Sequence, residues 1–153
     1  MKITLSIDSK ETITINHSEA ANIVNWIVDC EQNATFFSIL AKHASSEVRC
    51  MVANKSNIPL KVMEKLARDS SIEVVRILAS NETALRKLKL PLFKEMITRD
   101  VSVATTIADN LYVFGIEHLE IREELMLELF GHPDPNVVDI VLNFEREQLS
   151  SKY

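Results

Sequence analysis

Residues 40–81 read LAKHASSEVRCMVANKSNIPLKVMEKLARDSSIEVVRILASN, and at a shift of 26 positions the stretch repeats itself. Leu40 falls on Leu66, Ala41 on Ala67, Ser45 on Ser71, Glu47 on Glu73, Val48 on Val74 and Ala53 on Ala79. Six identities in the sixteen positions from Leu40 to Lys55 compare with about one by chance, since a residue type recurs at roughly 5–7 %. A fixed period of this size predicts stacked supersecondary units, and such stacks are usually binding scaffolds.

Within the stretch the apolar positions have helical spacing. Val48, Met51 and Val52 fall at i, i+3, i+4 behind a cap at Ser45 or Ser46. Asn54 to Asn57 break that helix, and Pro59 sits in the first turn of the next, where its missing N–H costs little. Leu60, Met63, Leu66 and Ala67 face inward; Asp69-Ser70-Ser71 then ends this helix and caps another that carries Val74, Val75, Leu78 and Ala79. One unit is helix, tight break, helix. Neither helix buries its stripe alone, so neighbouring units must stack.

Further along, Phe93, Met96 and Ile97 line a helix after Pro91, and Arg99-Asp100 echoes Arg68-Asp69. Val103, Ala108 and Asn110 echo Val74, Ala79 and Asn81 at a shift of 29. Gly115 permits a positive φ after the apolar run Leu111-Tyr112-Val113-Phe114. A long acidic helix is predicted over about 116–130, and Asp134-Pro135 starts the last one, buried by Val137, Val138, Val141, Leu142 and Phe144.

Upstream, a helix over about 34–43 carries Phe36, Phe37, Leu40 and Ala41. Before it, Asn16 or Ser18 caps a helix with an apolar stripe at Ala20, Ile23, Val24, Ile27 and Cys30, flanked by Trp26. Ile3, Leu5 and Ile7 alternate with polar residues, as do Ile13 and Ile15, and Asp8-Ser9-Lys10 has turn chemistry. That pattern predicts a β-hairpin with one buried face, closing one end of the stack. Its free edge also offers a route to homodimers. The whole chain, 1–153, is expected to be a single domain: a hairpin cap over 1–16, N-terminal helices over 17–43, helical repeats over 44–144, and a frayed polar tail over 145–153.

Composition agrees with that class. Among 153 residues, 46 % are apolar and 25 % charged, with two Gly and four Pro; so few turn formers disfavour β-rich folds. The chain opens without the apolar core of a signal peptide, and no run of about 18 apolar residues exists to span a membrane. Cys30 and Cys50 form no CxxC and read as small buried thiols. A cytoplasmic protein is expected. Net charge is −5, but residues 1–31 carry −3, residues 32–100 carry +5 and residues 101–153 carry −7. Such segregation either steers a charged partner or is spread over solvated faces.

The pairs Leu40-Ala41, Val48-Arg49, Ala53-Asn54 and Leu66-Ala67, with Pro59 and Asp69, resemble the leucine-rich repeat variant, a HEAT-like helical repeat family found in bacteria. Asp134-Pro135-Asn136-Val137-Val138 looks like a further, degenerate start. The resemblance covers roughly residues 34–144. It implies a mainly α, HEAT-like α-solenoid of about four helical-pair repeats, and many relatives are protein-binding scaffolds. One founding member carries an iron–sulfur cluster on an N-terminal cysteine group; this chain lacks that group, so the cluster does not carry over. A fold sets no activity by itself.

Catalytic vocabulary is missing. Gly115 and Gly131 cannot write a GxGxxG, P-loop or GxSxG, and HExxH is absent. His17, His43, His118 and His132 lie in different segments, without the spacing of metal ligands on one helix. Lys42-His43-Ala44-Ser45 puts a His beside a Ser but reads as a helix end and cap. No enzyme, metal or cofactor is expected. Lys61, Lys65 and Arg68 share a helical face, and Arg49, Arg76, Arg86, Lys87, Lys89, Lys94 and Arg99 add charge in adjacent units. Partner binding is therefore assigned to Arg49, Lys61, Lys65, Arg68, Arg76, Arg86 and Lys87. The expected function is a non-catalytic scaffold (adaptor, inhibitor or neutraliser) for another protein, with an acidic partner suited to the basic face and the acidic helix around 117–128 as second surface. The alternative is a nucleic-acid-binding HEAT-like module through the basic 49–99 region; a pI of 5.4 and the lack of interleaved aromatics speak against it.

Overall fold

The computed structural model describes residues 3–7 and 11–150. Two antiparallel strands, β1 (Ile3–Ile7) and β2 (Glu11–Ile15), pair with Ile3 opposite Ile15 and Ile7 opposite Glu11. The predicted turn at 8–10 lies outside the described residues. Among the described residues, all that follows the hairpin is helical or a connection between helices: α1 (His17–Trp26), α2 (Ala34–Leu40), α3 (Ser46–Ala53), α4 (Leu60–Leu66), α5 (Ile72–Ala79), α6 (Glu82–Lys87), α7 (Leu90–Ile97), α8 (Val101–Asp109), α9 (Leu119–Phe130) and α10 (Pro135–Ser150). The chain is mainly α.

Helix α1 packs on α3, α3 on α5, α5 on α8, and α8 on α10. Against that row lie α2 on α3, α4 on α5, α7 on α8, and α9 on both α7 and α10. The core runs continuously between the two rows. It includes the fully buried Phe37, Leu40, Val48, Val52, Met63, Leu66, Val74, Val75, Leu78, Phe93, Met96, Ile107, Leu125 and Val141. Helices of seven to nine residues cannot sustain themselves in water, so this shared core is what holds them helical.

The helix pairs turn in a recurring way. Between α2 and α3, the Ser45 N–H donates to His43 Nδ1 at 3.1 Å. Between α4 and α5, Ser71 N–H donates to Asp69 Oδ1 at 2.9 Å. Between α7 and α8, Ser102 N–H donates to Asp100 Oδ1 at 2.8 Å. Between α9 and α10 there are two such bonds, Asp134 N–H to His132 Nδ1 at 3.1 Å and Asn136 N–H to Asp134 Oδ1 at 2.9 Å. Each side chain reaches the amide two residues on and satisfies a helix-start donor that would otherwise be orphaned. Asp and His do the same work here.

A second set of bonds ties one helix pair to the next. Lys55 Nζ donates to the carbonyls of Asn25 and Ile27, which close α1, at 3.2 and 3.1 Å. Twenty-six positions on, Asn81 Nδ2 donates to the carbonyls of Ala53 and Lys55, at the end of α3, at 2.8 and 2.9 Å. Asn81 Oδ1 meanwhile accepts from Thr83 and Ala84 and so caps α6. Both side chains are buried. Asn110, the counterpart at the next step, turns instead to Thr106 of its own helix.

Several expectations need correction. Helix α1 stops at Trp26, because the Asp29 carboxylate leaves the helix to accept the amides of Ser56 and Asn57 at 2.6 and 2.9 Å. Cys30 is therefore off that helix and half-buried, while Cys50 is buried as expected. Phe36 and Leu60, counted as core, are exposed. Gly115 has a φ of −67° and uses no left-handed backbone; a Cβ there would instead meet a Glu117 carboxylate oxygen at 2.8 Å. The long acidic helix begins as a short 3-10 turn at Ile116–His118. Helix α10 continues through Ser150, beyond the start of the predicted frayed tail, and residues 151–153 lie outside the described set.

Candidate functional site

The α2–α3 and α4–α5 turns stand side by side, and between them opens a cleft of about 540 Å³. Ala41, Lys42, His43 and Ala44 form one wall. Glu64, Lys65, Arg68, Asp69 and Ser70 form the other, and Arg49 bridges them.

Arg49 is a structural member of this site. Its Nε and Nη2 donate to the two carboxylate oxygens of Asp69, both at 2.7 Å. Its Nη1 donates to the carbonyls of His43 and Ala44 at 2.8 and 2.9 Å. Four of the five guanidinium N–H groups are thus spent on holding the two turns together. The pair is largely shielded, with side-chain exposures of 12 % and 8 %. Burial alone would raise the Asp69 carboxyl, but the Arg49 hydrogen bonds, the Ser71 amide and the charges of Arg49 and Arg99 hold it below the usual carboxylate value. The same contact pushes Arg49 up. From the far side Arg99 donates to the carbonyls of Ala67 and Asp69, so the Asp69 turn is gripped by both its neighbours.

The other assigned cations divide. Lys65 lines the cleft, is exposed and has no acidic partner within ion-pair distance. Arg68 also lines it, held from outside by Glu95 of α7 through a pair about half exposed on each side. Lys61 is exposed one turn before Lys65 but does not line the cleft. Arg76 is taken up by Glu73 at 2.6 Å and Arg86 lies 3.6 Å from Glu82, each on its own helix. Lys87 is exposed at the end of α6. The cleft thus unites Arg49, Lys65 and Arg68 and leaves Lys61, Arg76, Arg86 and Lys87 outside.

Of the cleft residues that escaped the sequence reading, Lys42 and His43 had a signal. At the 26-residue shift Lys42 occupies the register of Arg68, and His43 that of Asp69. Each is the counterpart of the later residue in its turn. His43 is 3 % exposed, its ring meets His17 of α1 edge-on at 5.3 Å, and burial foremost, then the proximity of His17, pushes its imidazole below the ordinary value. It stands neutral, with Nδ1 accepting.

The basic middle is less open than its formal charge implies. Of its twelve cations, Arg49, Arg68, Arg76, Arg86 and Lys94 are ion-paired. Lys55 and Arg99 are bound to backbone carbonyls. Lys42, Lys61, Lys65, Lys87 and Lys89 remain. Lys94 reaches Glu124 and Glu128 of α9, so part of the acidic helix is neutralised from within, while Glu117, Glu120 and Glu123 stay exposed.

Among the described residues no group of three or more His, Cys, Asp or Glu is placed to hold a metal ion, and no helix is long and apolar enough to cross a membrane. The Cys50 thiol is pushed up by burial and then by Glu73, away from the thiolate a nucleophile needs. No protein-family model matches the chain, and no curated protein matches it significantly.

Proposed function

We propose that this chain is a small HEAT-like stack of helix pairs that binds an acidic segment of another protein, without catalysis, at the cleft between its first two turns. The observation that carries the reading is the cleft itself, where Lys42 and Lys65 face open space with no acid of their own while Arg49 holds both walls in place. Exposed ammonium groups on a pre-formed frame lose little on binding a carboxylate and steer its approach. The turn bonds at 43, 69, 100 and 132, and the paired bonds from Lys55 and Asn81, support a repeated unit. A cytoplasmic setting belongs to the same proposal.

The nucleic-acid alternative asks for a run of free cations with stacking aromatics. Here five arginines and lysines are already paired, and the most exposed aromatics among the described residues, Trp26 and Tyr112, do not line the cleft. Homodimers through the hairpin edge are the third reading; proline at Thr4 or Thr14 would remove an edge donor and dissociate them.

Capture from native lysate at low and moderate salt, with nuclease treatment, tests the proposal. One stoichiometric protein retained after nuclease is the expected result. Retention of nucleic acid alone, with affinity falling about one log unit per log of salt for each phosphate contacted, would replace it.

A further inference from the structure

We propose that His43 makes the first turn, and with it the wall of the cleft, sensitive to mild acid, whereas the aspartate turn beside it is not. The Ser45 amide donates to His43 Nδ1 at 3.1 Å, so that nitrogen must present a lone pair. A second proton on the ring turns the acceptor into a donor, and two N–H groups then face each other. The bond is replaced by repulsion.

The surroundings offer the imidazolium little. On its own turn stands Lys42; from α1 comes His17, ring against ring at 5.3 Å; from α3 the Arg49 guanidinium sits on the His43 carbonyl. Across the cleft α4 contributes Lys65 and Glu64, with Arg68 just beyond its end, and the Asp69 charge is already taken by Arg49. Glu64 is the one unpaired acid of the lining. A ring only 3 % exposed has no water to replace the missing partner. The lowered imidazole value agrees in direction.

At the equivalent position of the neighbouring turn Asp69 accepts the same type of amide at 2.9 Å, and a carboxylate remains an acceptor through the whole range in which histidine titrates; His132 repeats the histidine bond in the α9–α10 turn, outside the cleft. The α2–α3 turn should therefore loosen before the α4–α5 turn as pH falls. Because Arg49 ties the His43 and Ala44 carbonyls to Asp69, the near wall of the cleft moves with it. As regulation of the binding cleft this rests on the function proposed above; the titration itself is read on the chain alone, so the two can fail separately.

The test compares the full chain with His43→Asp and His43→Asn, whose side-chain oxygens accept the same amide. Melting temperature is followed from about pH 7.5 to about pH 5, the range of a histidine switch. The wild-type chain should lose about 2–4 °C more than either variant over that interval, and by NMR the Ser45 amide should shift and exchange faster in step with His43 protonation. Equal losses in all three chains, or a Ser45 amide unmoved while His43 titrates, would overturn the proposal. Should neither variant fold, the Ser45 readout on the wild-type chain decides.

Discussion

The turns at 43–45 and 69–71 make one hydrogen bond with two chemistries. Both link a short helix to the next, both use a side chain to hold the amide two residues on, and they lie 26 positions apart. The aspartate turn is the stronger fixture. Its carboxylate also takes two bonds from Arg49, and its backbone takes two from Arg99. The histidine turn has a neutral ring, a neighbouring His17 and the carbonyl bonds of Arg49. Two neighbouring turns thus keep one geometry with different electrostatics, and the weaker of them forms one wall of the cleft.

The hardest way to break the comparison is Arg49→Ala, which frees the Asp69 carboxylate and both carbonyls of the first turn together. Leaving one partner of a shielded pair uncompensated should cost about 3 kcal/mol, or roughly 6–12 °C in melting temperature. A loss below about 1 kcal/mol, measured by denaturant titration, would show the clamp to be ornamental.

Next in size is Asn81→Ala, which orphans the carbonyls of Ala53 and Lys55 and uncaps α6. A loss of about 2 kcal/mol is expected, read in the same titration, with exchange protection lost at the end of α3.

Acid separates the two chemistries without mutation. Asp69 has a lowered folded value, so its contribution is complete above the ordinary carboxylate pKa and is lost as pH falls through the folded one. His43 is also lowered, so its contribution is complete above the ordinary imidazole pKa and is lost on the way down to its folded value. Stability against pH should fall in two stages, one below about pH 6.5 and one below about pH 4. His43→Asp should shrink the first stage and leave the second.

The smallest effect is expected from Asp100→Ala. Asp100 is exposed and no arginine holds its carboxylate, although Ser102 lowers it by hydrogen bonding. Its melting shift should be the least of the set, and a shift rivalling that of Arg49→Ala would contradict the ranking.

Much of this was legible in the chain. Apolar positions at helical spacing marked α3, α5 and α7, and Asp69, Asp100 and Asp134 were recognisable as helix-start residues because a short carboxylate has few other local uses. His43 was not, since an imidazole in that role requires a buried neutral ring, and burial is a tertiary fact. Arg49 was read as free charge because its partner lies twenty positions away and in another helix pair. Helix α1 ended early for a similar reason, its Asp29 being claimed by amides 27 and 28 residues on. Local spacing reads helices well; it is blind to which cations the fold consumes.

The cleft is the centre of the account, and Lys65→Glu with Arg68→Glu addresses it directly. Both side chains are exposed, and an ion pair as exposed as Arg68–Glu95 is worth at most about 1 kcal/mol, so the melting temperature should drop by no more than a few degrees. Wild-type and doubly reversed chains, immobilised in parallel and exposed to the same nuclease-treated lysate, should differ in one respect. The wild type retains a stoichiometric protein and the reversed chain loses it at least tenfold. Equal retention by two equally stable chains would contradict binding at this cleft.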